Sequence, residues 1–260
     1  MSEKNNQNIS ASIKEKVVGA GKYLKNNWKK ISLAIVGLVA MGIGVAINNI
    51  SLLGNDPVSV FYDGIAFMLR KPLNMASTWI NVIMFAIAFL LARKYVKLAS
   101  VLYLLFLSPF IGVGMDIFAG MVFKVPKSGG PQVLAEHMNQ IFATNPMLQV
   151  GLSVVGCIIM FTGLALFVAL NLGVDPWNAL AFQTSDKFNL PYKYVKIGWD
   201  VSVCVIGMLL HGVWGVTTIV TALVGGPYIK VVSGFISRTL LKWCKIETEN
   251  TEEKDEKCLA

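Results

Sequence analysis

Eight side chains in or beside long apolar runs have the chemistry to bind or relay something: Asp56, Asp116, Asp175, Asp200, Asn81, Asn178, Trp177 and Trp199. A lone carboxylate inside an apolar span costs ~2.5–3.5 kcal/mol on insertion scales, so it faces a cavity or a partner. Asp200 lies beside Trp199 in one such span, and Asn81 holds the matching place in an earlier one. Lys230 is the one basic residue counted within a span, so Asp200 has no expected cationic partner and a mobile proton is the natural substitute. Asp200 is therefore expected to face a polar space, with a structural hydrogen bond to a helix end as the competing role. Asp116 sits towards the outer end of its span, where a helix-terminal or interfacial role suffices. Asp56 and Asp175 each precede a proline: the carboxylate caps free N–H groups and the proline takes a position that needs no N–H. Capping is their simplest role, with a substrate or proton role open beside it. Asp63, half-way along the stretch after Pro57, has Phe182 at its equivalent position and is assigned only an exposed face.

The two Asp-Pro pairs belong to one signal written twice. Gly54-Asn55-Asp56-Pro57 and Gly173-Val174-Asp175-Pro176 are 119 residues apart, and sliding the chain by 119 aligns 12 identities over the 51 positions 41–91. These include Met41/Met160, Gly44/Gly163, Pro72/Pro191 and Leu91/Leu210, and a one-residue slip then brings Pro109 onto Pro227. Such a duplication in an apolar chain predicts a repeat architecture with its site near the repeat interface.

The chain is 55% hydrophobic and 15% charged, with a mean hydropathy of +0.60, which predicts an all-α integral membrane protein. Apolar runs at Ile31–Leu53, Met75–Ala92, Leu98–Val122, Met147–Leu172, Tyr194–Leu210 and Trp214–Ile236 are read as six transmembrane helices. Three spans separate the two G-x-D-P signals, an odd number, so the second half is expected to enter the membrane in the opposite sense. That gives a 3+3 inverted repeat. The stretches 57–70 and 176–188 are too short to cross a ~30 Å core at 1.5 Å per residue, so each is a half-helix, re-entrant or interfacial.

The expected organisation is a basic segment (1–30) with an interfacial helix built on Ile13, Val17, Leu24 and Trp28, then a first membrane repeat (31–122). An extracytoplasmic connector (123–146) with a Leu134/Met138/Ile141 stripe, a second repeat (147–237) and a charged cytoplasmic tail (238–260) follow. The net charge of +8 is read as topology rather than nucleic-acid binding. With the N-terminus inside, 18 of the 23 Lys/Arg face the cytoplasm, and Arg70, Lys71, Lys124 and Lys127 lie outside. Both termini are thus expected in the cytoplasm.

Enzyme readings fail on inventory. His137 and His211 lack a companion Cys or Glu cluster, no nucleotide-binding or hydrolase motif is present, and the four cysteines form no C-x-x-C. No metal or cofactor is expected.

The run Asn171-Leu172-Gly173-Val174-Asp175-Pro176-Trp177-Asn178 resembles the YczE-type branch of the bacterial YczE/YyaS/YitT membrane proteins, which carry a similar N-L-G-x-S/D-P-W-D/N pattern. The likeness continues through Gly198-Trp199-Asp200 and the span bearing Pro227, and covers roughly residues 31–237; in the first half, Val58-Ser59 stands where Trp177-Asn178 does in the second. The resemblance implies a multi-pass protein of the bacterial inner membrane, without naming a substrate. The leading expectation is a small-molecule secondary transporter or permeation protein, in the lipid bilayer, whose substrate is an unidentified small molecule or ion. The alternative is a non-transporting membrane accessory or regulatory protein that docks a cytoplasmic or membrane partner; a homo-oligomer is open in either case.

Overall fold

In lipid every backbone N–H and C=O must be satisfied within its own segment, so apolar runs of this length become helices. A computed structural model describes residues 25–125 and 130–241. Among them are nine α-helices: α1 (Trp28–Ser51), α2 (Pro57–Leu69), α3 (Leu73–Leu91), α4 (Leu98–Met115), α5 (Gly130–Thr144), α6 (Pro146–Ala169), α7 (Pro176–Phe188), α8 (Tyr192–Leu209) and α9 (Val216–Ile236). A wider π-type turn, Asp116–Val122, prolongs α4. The expected interfacial helix on Ile13, Val17 and Leu24 and the charged tail beyond residue 241 fall outside the described residues.

Among the described residues five helices are long and apolar enough to cross a membrane: α1, α3, α4 with its extension, α6 and α9 continued to Thr239. Five of the six expected spans are among them. The remaining run, Tyr194–Leu210, is α8, whose 18 residues include Lys193, Lys196 and Asp200 and which is not in that set. Large side chains face outward along these helices, among them Leu90, Leu105, Leu223, Val231 and Phe235, as a lipid-facing surface requires.

The central contact is α1 against α6. A Cβ on Gly37 would lie 2.8 Å from the Gly163 carbonyl, and one on Gly44 2.7 Å from that of Gly156. As the residue number rises on α1 it falls on α6, so the two helices run antiparallel with their backbones nearly touching. Small residues make such an approach attainable without lipid-driven burial. Gly42 meets Phe110 and Ile111 while Gly114 meets Ala46, so α4 runs parallel to α1. Ser153 pairs with Thr217 and Thr162 with Tyr228, so α9 runs parallel to α6. The start of α1 and the end of α9 consequently share one face of the bundle.

The short helices cross between the halves. α2 packs against α8, and α7 packs against α3. At the first contact Gly64 and Gly207 admit backbone-to-backbone approach; at the second, Ala88 and Ala179 are fully buried. Ala88 and Gly207 are themselves 119 residues apart. The loops before the short helices are held in matched fashion too. The Ala99 N–H donates to the Leu172 carbonyl (3.3 Å) at the start of α4, and the Thr217 N–H donates to the Leu53 carbonyl (3.1 Å) at the start of α9. Each G-x-D-P loop thus docks on the last long helix of the other half.

α5 lies across the ends of α1, α4 and α6, where Leu134, Met138 and Phe142 pack on Ile50 and Ala119. Its Gln132 amide donates to the Phe67 carbonyl at the end of α2 (3.3 Å).

Candidate functional site

Both Asp-Pro signals form helix caps. The Asp56 carboxylate accepts the Ser59 N–H (3.3 Å) and the Asp175 carboxylate the Asn178 N–H (3.1 Å), each with proline in the first helical turn. Gly54 and Gly173, at φ +100° and +117°, make the chain reversals that precede them. The Asn55 amide donates to the Val45 carbonyl (3.0 Å), which lies roughly 9 Å back along α1 from Ser51 at 1.5 Å per residue. α2 therefore starts inside the bundle rather than on its surface.

The two short helices meet at a buried polar cluster. The Tyr62 hydroxyl, from α2, donates to Asn81 Oδ1 in the middle of α3 (2.6 Å). The Trp177 indole N–H, from the first turn of α7, lies 3.0 Å from the Tyr62 hydroxyl and 3.2 Å from Asn81 Oδ1. Asn81 Nδ2 donates to Ser108 Oγ of α4 (3.3 Å), and the Tyr103 hydroxyl adjoins that of Tyr62. Residues 62, 81, 103, 108 and 177 are all buried. A buried network of this kind is stabilising only when each member finds a partner, and this one does. Tyr and Trp suit the position because an apolar body carries one polar tip.

Of the eight candidates, Asn81 and Trp177 sit in this cluster, and Asp56 and Asp175 lie within electrostatic reach of Tyr62 at its centre. Asn178 stands beside it: its side-chain amide donates to Asp175 Oδ2 (2.5 Å), and its own Oδ1 accepts the Tyr192 hydroxyl (2.8 Å). Trp199 turns away to pack on α7, with its N–H 3.4 Å from the Thr184 hydroxyl. Asp116 is exposed where α4 widens and stays outside the cluster.

Asp200 is the correction. It was expected to lack a cationic partner, yet Lys196, one turn earlier on α8, forms an ion pair with it at 2.5 Å, both side chains about 30% exposed. The pair nonetheless borders the site, since Asp200 and Lys196 both act electrostatically on Asp56. Asp63 is the second correction. It is buried, not exposed, and accepts from Asn49 Nδ2 (3.0 Å) and from the Val213 N–H (2.7 Å). Tyr62, Tyr103 and Ser108 were not singled out in the sequence; an aromatic or serine in an apolar run reads as packing, and nothing local marks a partner 19 or more residues away.

A second polar contact joins the halves on the face where α1 begins. Asp186, near the end of α7, accepts from both Lys94 and Tyr95 in the α3–α4 connection. Phe182 stacks on Tyr95 and on Tyr192 beside it. The Lys94 ammonium first, and the Tyr95 hydroxyl next, hold the Asp186 carboxyl below its ordinary 3.8, and the same contact raises Lys94 above 10.5. The contact is therefore complete between these two ordinary values. It is lost at the acid end as the pH falls through the lowered Asp186 value, and at the alkaline end as it rises through the lifted Lys94 value. A carboxyl NMR titration in nanodiscs should put the Asp186 midpoint below 3.8, and Lys94→Met should move it upward. An unmoved midpoint would show that Lys94 is not its partner in solution.

The family described as "Family of unknown function (DUF6198)" matches residues 28–234, from the start of α1 into the last turn of α9. A Haemophilus influenzae protein described as "Uncharacterized protein" is 26% identical over 215 residues, covering 81% of this chain and 86% of its own length. No solved structure matches.

Proposed function

We propose a transport function for this chain, which belongs to the family of unknown function DUF6198. It acts as a small-molecule or ion secondary transporter of the bacterial inner membrane, built as a 3+3 inverted repeat with its site between the halves. One observation carries this reading: two short helices, one from each half, begin at Asp56 and Asp175 and converge on the buried Tyr62–Asn81–Trp177 cluster. A structural scaffold has no need of two broken helices meeting at a polar centre, whereas transporters use them to bind a substrate near the midplane.

The antiparallel glycine contact of α1 with α6, the exchange of short helices and the matched loop hydrogen bonds all support the inverted repeat. α8 serves as the sixth span. It starts beside Asn189 and the Phe182–Tyr192 stack on one face and ends at His211 against Phe67 on the other. Its Lys196–Asp200 pair removes much of the cost of placing two charges there. Around the site stand the carboxylates of Asp56, Asp175 and Asp200 against the single ammonium of Lys196, a balance that suits a cationic substrate or a coupled cation. The N-L-G-V-D-P-W-N run, by which the chain resembles the YczE-type branch, lies at this centre, and the basic-residue count supports a topology with both termini in the cytoplasm.

Transport requires the centre to open to each side in turn, and Cys204 reports on this. It lies on α8, half-buried, within reach of the charges of Asp56 and Asp200. In a chain with Cys157, Cys244 and Cys258 replaced by serine, a membrane-impermeant thiol reagent should label Cys204 in both right-side-out and inverted vesicles. Labelling from one side alone, or from neither, would favour the accessory-protein reading.

A further inference from the structure

The two helix caps are equivalent in sequence but not in hydrogen bonding. Asp175 has a donor for each oxygen: the Asn178 N–H on Oδ1 and the Asn178 side-chain amide on Oδ2. At the position equivalent to Asn178 stands Ser59, whose N–H serves Asp56 Oδ2 and whose shorter side chain brings no amide. Asp56 Oδ1 is left sealed from solvent with no hydrogen-bond partner. A buried carboxylate oxygen without a donor is costly, and the cost falls when the group is neutral or when a donor arrives.

The charged and titratable groups around Asp56 do not relieve it. From α8 come Asp200, Lys196 and Cys204, the first two already paired with each other; from α6 comes Cys157, from α2 itself Tyr62, and from α4 Tyr103. None donates to Oδ1.

We propose that Asp56 is the proton-binding carboxyl of the transport site: it carries a proton on Oδ1 in the sealed arrangement described above and releases it when the site opens. The inference rests on the transport reading and names its coupling ion. On release the Oδ1–H bond breaks, the proton passes to admitted water, and the carboxylate remains; nothing is oxidised or reduced. Asp175, with a donor from Asn178 on each oxygen, serves as a cap alone.

The test needs no substrate. Infrared spectra of the full chain in lipid nanodiscs, stepped through pH, detect the carbonyl band of a protonated carboxyl. Exposed carboxyls titrate alike in every variant and cancel in the difference. Asparagine is as good a cap as aspartate, so Asp56→Asn and Asp175→Asn should both fold. The wild-type spectrum at neutral pH should contain one acid carbonyl that Asp56→Asn lacks and Asp175→Asn retains. Asn178→Ser, which strips the amide from Asp175, should add a second. Survival of the band in Asp56→Asn, its absence from the wild type, or no second band in Asn178→Ser overturns the inference. Each of these leaves the transport reading standing, because that reading is decided separately by two-sided labelling of Cys204.

Discussion

Gly163→Val is expected to stop the protein accumulating as a folded species. A Cβ there would stand 2.5 Å from the Gly37 carbonyl oxygen and 2.6 Å from the Met41 nitrogen. Both are backbone atoms of α1, which cannot step aside as a side chain can. The two helices must separate, and with them the antiparallel contact on which both halves hang. Overpacking a core costs ~1–3 kcal/mol when side chains can yield. Here they cannot, and the valine methyls add to the clash, so the loss should reach or exceed the upper figure. Gly44→Val meets the same obstacle, 2.5 Å from the Met160 nitrogen. Gly151→Val is the control: it lies on the same helix, α6, with nothing within 4 Å of its Cβ. Size-exclusion profiles and melting temperatures of detergent-purified variants should show Gly163→Val aggregated or strongly destabilised and Gly151→Val close to wild type. Comparable behaviour of the two would mean that α1 and α6 are not in the contact described.

The features that were legible in the sequence are those whose causes are local. Asp-Pro after a glycine specifies a cap, a first turn and a reversal within four residues, and Asp56 and Asp175 form such caps. The long apolar runs needed only their length: Ile31–Leu53 became Trp28–Ser51, and Met147–Leu172 became Pro146–Ala169. Where the reading went astray, the cause was a partner elsewhere on the chain or a neighbour given another role. Lys196 was counted as one of the basic residues bordering a span, so Asp200 looked isolated, although an i, i+4 lysine–aspartate pair on a helix is readable from spacing alone. Asp200 drew the weight that we place on Asp56, whose missing donor becomes visible only by comparing Ser59 with Asn178. The cluster at Tyr62, Asn81, Tyr103, Ser108 and Trp177 draws on four helices. No window of sequence contains it, and of its members only Asn81 and Trp177 carried a local signal, a polar side chain in a span and a tryptophan beside a cap.

The carboxylate of Asp63 is the clearest case of a partner hidden by distance, and it supplies the second large expected effect. Its two oxygens tie three elements together: Asn49 near the end of α1, its own helix α2, and the Val213 N–H in the α8–α9 connection, 150 residues away. Phe182 occupies the equivalent place in the other half and stacks on aromatic rings instead, so the repeat itself gives no hint of this role. Asp63→Ala removes both acceptors and leaves a buried amide and a loop N–H without partners. Hydrogen bonds to a charged group are each worth ~1.5–3 kcal/mol, so the loss should be about 3 kcal/mol or more. Asp63→Asn should be far milder. Its Oδ1 can still accept from Val213, and a flip of the Asn49 amide lets the new Nδ2 donate to it. Melting temperatures should therefore rank wild type, Asn, then Ala with a wide gap before Ala. Hydrogen exchange at Val213 should be slow in the first two and fast in the last. An asparagine variant as unstable as the alanine one would show that the negative charge, and not the pair of acceptors, is what the fold requires at this position.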